Sequence, residues 1–105
     1  MDLGAVMDRF DGDQELFLTL AGIFVGRSAH ALATIQAAVA AQDMPLLIKE
    51  AHKLKGSALE FCAHQTVAAA AQLEEAARKA ATEDLAAICE RVLAETQRLT
   101  SALGT

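Results

Sequence analysis

"EAHKLKGSALEF", residues 50–61, carries two patterns on one helix. Ala51, Leu54, Ala58 and Phe61, with Leu47 ahead of them, recur at steps of three and four. That spacing is an apolar stripe and predicts a packed helix over about 44–62. At about 100° per residue, His52 falls well away from the stripe. Lys49, Lys55, Gly56, Leu59 and Ala63 share its side, and Lys53 points elsewhere. The outer face is unusual. Three of the chain's four lysines, Lys49, Lys53 and Lys55, lie within seven residues around His52. A glycine inside a helix costs about 1 kcal/mol relative to alanine, yet Gly56 sits one turn from the histidine.

Working outward, the 105-residue length fits one domain, 1–105, with a modest core. Hydrophobic residues make up 53% of the chain, much of it alanine, and aromatics only 4%. Small side chains favour close-packed helices. One proline and six glycines are too few for a fold of many tight turns. The fold class predicted is all-α, an antiparallel four-helix bundle with a short extra N-terminal helix.

The elements can be placed. Residues 3–9 form the short helix, and "DGD" at 11–13 breaks it, with Asp11 or Asp13 as cap of a second helix. Leu16, Phe17, Leu20, Phe24, Leu32, Ile35 and Val39 mark that second helix as a long one over 14–41, bent or interrupted near Gly26. Asp43 caps the third helix, and Pro45 is tolerated in its first turn. An alanine-rich helix over 64–80 has Thr66, Ala69, Ala70, Leu73 and Ala77 inward and Glu74 at the edge of that face. Thr82 is read as the cap of the last helix. There Leu85, Val92, Leu99 and Cys89, Thr96, Leu103 form a double seam at a seven-residue repeat.

Charge narrows the partners. The net charge is −5, which disfavours nucleic acid. Residues 49–55 alone are basic, with three lysines against one glutamate. So small a patch suits an acidic site on another protein. Cys62 and Cys89 read as reduced thiols at apolar helix positions. No signal peptide and no membrane-spanning stretch is expected, and the location expected is cytoplasmic.

A neutral imidazole offers a lone pair near neutral pH, because a free histidine titrates at about 6.5. It can attack phosphorus and hold a phosphoryl group covalently. Phosphoryl transfer asks chiefly for alignment and charge neutralisation. A lysine one turn away supplies charge, and a glycine leaves room for an approaching protein.

These residues resemble a family. "AHKLKGSA", residues 51–58, is similar to the H-x-x-K-G-[SA] signature of histidine-containing phosphotransfer domains. Ala63 and the Leu73–Glu74 pair match further positions of that pattern, and "GDQELFLTLAGIF" resembles the family's second helix. The resemblance implies that His52 is the phosphorylated nucleophile, that Lys55 steadies the phosphoryl oxygens and that Glu74 hydrogen-bonds one ring nitrogen to orient the imidazole. It implies docking of a response-regulator receiver domain over Gly56, Lys49, Lys53, Ser57 and Leu59. A hybrid sensor histidine kinase is the other partner implied. The chain would act as a monomeric phosphoryl carrier, not an enzyme. No nucleotide-binding motif, cofactor, metal site or membrane partner is expected. Family members often have glycine where this chain has Leu59 and Cys62, and these changes are expected to extend the helix. Two other readings compete: a bundle that binds a receiver or kinase without carrying phosphoryl, and a carboxylate-bridged metal bundle. The latter needs Glu-x-x-His pairs that the sequence lacks.

Overall fold

Aspartates start the first three helices. In the computed structural model, which describes residues 2–104, the side chains of Asp2, Asp13 and Asp43 accept hydrogen bonds from the amides of Ala5, Leu16 and Leu46 at 3.1, 2.9 and 3.2 Å. Each satisfies an amide that has no partner within its helix. The helices so capped are α1 (Leu3–Arg9), α2 (Gln14–Ala41) and α3 (Met44–Leu59), with Pro45 in the first turn of α3. After them come α4 (His64–Arg78) and α5 (Leu85–Gly104). Among the described residues there is no strand.

The first four helices end by one device. Asp11, Gln42, Cys62 and Ala80 all have positive φ, between 52° and 54°. Each of these residues donates its amide to the carbonyl three back, at 3.1 Å in every case. The next residue donates to the carbonyl five back: Gly12 to Met7, Asp43 to Ala38, Ala63 to Ala58 and Ala81 to Ala76, at 2.8–3.2 Å. This is the Schellman arrangement, in which a left-handed residue turns the chain off the helix and satisfies its last carbonyls. Glycine is its usual occupant, yet here no glycine takes the left-handed position that closes a helix.

Three expectations are corrected. Leu59 and Cys62 do not extend α3. It stops at Leu59, and Cys62 adopts the left-handed conformation that a glycine would favour. Gly26 does not interrupt α2, which runs unbroken from Gln14 to Ala41. Thr82 does not cap the last helix. The turn closed by Ala80 and Ala81 runs straight into a 3-10 turn, Thr82–Asp84, with Ala81 at its cap position and no side-chain capping bond.

The four long helices close a ring: α2 packs on α3, α3 on α4, α4 on α5, and α5 back on α2. Short connections make successive helices antiparallel. Ile35, Leu47, Leu73 and Val92 are fully enclosed, and Leu85, Cys89, Thr96 and Leu99 line α5 as the double seam predicts. All four phenylalanines gather around the turn after α3. Phe61 meets Phe10, Phe17 and Phe24 at ring-centroid distances of 6.1, 6.1 and 5.5 Å, which ties α1 to the bundle.

One further expectation needs correction. By length and composition α2 is apolar enough to cross a membrane, with a mean hydropathy of 1.5 over an 18-residue window. In this fold it is a wall of the bundle, with Phe24, Leu32 and Ile35 in the core and Leu18 and Ile23 left exposed.

Candidate functional site

The α3–α4 contact is the most extensive in the bundle, and alanine explains its closeness. Ala51 and Ala58 of α3, and Ala69 and Ala70 of α4, are wholly buried. Such side chains keep two helices near each other, so a long side chain on one passes beneath the next. Glu74 of α4 does this. Its carboxylate is only 8% exposed, whereas the His52 side chain above it on α3 is 65% exposed.

Glu74 is a buried charge with three partners. Lys55 Nζ lies 2.9 Å from Oε1. Arg78 donates to Oε2 through Nη2 at 2.8 Å and through Nε at 3.3 Å. The ring Nδ1 of His52 lies 3.3 Å from both carboxylate oxygens. The bonds from Arg78 and then Lys55, with a smaller contribution from His52, outweigh burial and hold the Glu74 carboxyl down to about 2. An ionised carboxylate can only accept, so Nδ1 of His52 is the donor. In the neutral ring the lone pair then sits on Nε2, at the edge turned away from Glu74.

The other sequence-predicted positions spread over the surface around the histidine. Gly56 is exposed, and a Cβ built on it meets nothing within 4 Å. No neighbour in the fold requires a glycine there. Leu59 is 46% exposed and Lys49 is exposed. Lys53 is exposed on the α2 side, 3.7 Å from Glu50. Lys53 and Ser57 line a groove of about 830 Å³ between α2 and α3. Lys55 instead leans toward α4. Among the described residues no group of three His, Cys, Asp or Glu side chains gathers as a metal site would need. Both cysteines are free, and burial, then Glu90, pushes the Cys89 thiol up, which leaves it protonated and unreactive.

Two features escape the sequence reading. Arg78 is one; its spacing of four from Glu74 was the available signal. The α2 wall of the groove, with Ile23, Gly26 and His30, is the other.

Fold and site together define a helical bundle that presents one solvent-facing histidine, oriented from beneath by a carboxylate of the adjacent helix. Residues 19–102 match the family model of the Hpt domain, a span that holds His52, Lys55, Gly56, Glu74 and Arg78. The chain belongs to the Hpt domain family, the histidine phosphotransfer domains of phosphorelays. No curated protein and no solved structure gives a significant match. Hpt domains interact with receiver domains and histidine kinases.

Proposed function

We propose that this protein carries a phosphoryl group on Nε2 of His52 between receiver-domain aspartates. The observation that supports it most is the His52–Glu74 pair: an exposed ring whose Nδ1 proton is engaged by a buried, ionised carboxylate. That arrangement directs the lone pair outward at Nε2, where a partner's phosphoryl group can be met in line.

In the step proposed, the Nε2 lone pair forms an N–P bond as the O–P bond of a phosphoaspartate breaks. The aspartate leaves with the bonding pair as a carboxylate. The ring, now substituted at Nε2 and still protonated at Nδ1, carries positive charge, and Glu74 offsets it. Passage to a second aspartate is the reverse. Lys55 neutralises phosphoryl oxygens, and water exclusion by the docked receiver strengthens that attraction. Gly56 and Leu59 admit the receiver, with Lys49, Lys53 and Ser57 around them as further contacts. The lysines complement the acidic pocket of a phosphorylatable aspartate. No nucleotide is consumed, so the protein is a carrier and not an enzyme, with a hybrid sensor histidine kinase upstream. It works as a monomeric domain in the cytoplasm.

Mixing the protein with a receiver phosphorylated with radiolabel tests this. Acid-labile, alkali-stable label should move to the protein. A bundle that binds the receiver and stays unlabelled is instead a pure interaction module.

A further inference from the structure

Lys55 is not free to serve a phosphoryl group in the structure described. Its ammonium is committed to Oε1 of Glu74 at 2.9 Å. To reach a phosphoryl group on Nε2, across the ring from Nδ1, it must leave the carboxylate. Its length and flexible stem allow that, and it is 29% exposed. Departure has a cost: a carboxylate 8% exposed loses one of its cations.

Arg78 removes that difficulty. It holds the other oxygen, Oε2, through two N–H groups. It belongs to α4, one turn beyond Glu74 on the same face, so this pairing does not depend on what α3 or Lys55 does. A planar guanidinium also loses little freedom in making two bonds to one carboxylate.

Building on the carrier role proposed for His52, we propose that Arg78 is a positioning residue of phosphoryl transfer. It stays on Glu74 as a permanent counter-ion while Lys55 exchanges Glu74 for the phosphoryl oxygens. The carboxylate thereby remains ionised and in place throughout, and Nδ1–H of His52 keeps its acceptor in both the free and the phosphorylated ring. Arg78 acts through Glu74 and does not itself contact the transferred group.

The test measures transfer rate at saturating phosphorylated receiver, and the receiver concentration giving half that rate. Wild type, Arg78→Ala, Arg78→Lys, Glu74→Gln and the Glu74→Gln/Arg78→Ala double variant are compared, with circular dichroism as the folding control. Arg78→Ala should slow the saturated rate by about 10- to 100-fold, a range taken by analogy from the loss of outer partners that orient metal-bound histidines. The half-saturating concentration should stay near that of wild type. Arg78→Lys, which retains the charge, should recover most of the rate. In the Glu74→Gln background no buried charge needs holding, so Arg78→Ala should add little. An undiminished rate in Arg78→Ala overturns the proposal. So does an equal penalty with and without Glu74, which would mean direct contact with phosphoryl or receiver. Wild type that takes no label on His52 is a separate failure, that of the carrier role itself.

Discussion

Lys55 Nζ and Glu74 Oε1 lie 2.9 Å apart across the α3–α4 interface, and the same carboxylate meets His52 Nδ1. One buried glutamate thus couples Lys55 with the histidine that faces solvent. Lys53, by contrast, extends to the α2 side and pairs with Glu50 at 3.7 Å. The basic window of an otherwise acidic chain divides into a lysine built into the site and lysines displayed around it.

Transfer kinetics should reflect that division. Lys55→Ala is expected to lower the transfer rate at saturating receiver markedly, and Lys53→Ala much less. Stability should divide the same way. The exposed Lys53–Glu50 pair is worth only about 0–1 kcal/mol, whereas Lys55→Ala leaves a buried carboxylate with less compensation. Paired kinetic and thermal-melting measurements on the two variants check this. Equal sensitivity at both positions would show that the lean of Lys55 toward α4 has no functional weight.

Gly56 separates folding from docking. Since open space surrounds its α-carbon, Gly56→Ala should leave the fold intact and stabilise the helix by up to about 1 kcal/mol. Gly56→Glu should fold equally well but transfer poorly, because bulk and negative charge then stand beside the phosphoryl position. Urea titrations and receiver-dependent transfer rates measure the two effects. Unimpaired transfer by the glutamate variant would place the receiver elsewhere.

Glu74 gives stability a pH signature. Its folded-state carboxyl is depressed from 4.5 to about 2, by Arg78 and Lys55 above all, so the folded state resists its protonation. The stabilisation is therefore complete above about 4.5 and is lost as pH falls through that value toward 2. Other carboxylates titrate in the same range, so the informative quantity is the difference between wild type and Glu74→Gln. The advantage of wild type in denaturation midpoint should shrink steadily over this window. A constant difference would mean that the ionised carboxylate is not what these cations stabilise.

The helix ends offer a prediction independent of function. Ala80 is exposed and has a φ of 52°. A left-handed conformation costs an L-residue about 1–2 kcal/mol, a penalty glycine escapes. Ala80→Gly should raise unfolding free energy by a fraction of that, on the order of 0.5–1 kcal/mol after glycine's greater unfolded-state freedom is subtracted. Chemical denaturation at matched slope measures it. A loss of stability would indicate that the turn after α4 relaxes in solution.

The sequence ends helices near Cys62 and Ala80 but does not signal their left-handed conformations. Periodicity placed Leu47, Ala51, Leu54 and Ala58 in the core and His52 outside it, because burial is what creates the pattern. The left-handed conformations of Cys62 and Ala80 are held by hydrogen bonds to carbonyls earlier in the chain. Residue preference plays no part in either. Arg78 was hidden for a related reason. An arginine four residues after a glutamate is ordinarily a surface pair of small consequence. Only the close approach of α3, set by its alanines, buries Glu74 and makes that pair matter.

Phosphoryl labelling of His52→Gln beside wild type, with a phosphorylated receiver as donor and acid-labile label followed on each protein, isolates the nucleophile. The ring is exposed and lies outside the core, so the variant should keep its helical circular dichroism. Wild type should take the label and His52→Gln should not. Full labelling of the variant, with the phosphoryl group on His30 or His64, would contradict it.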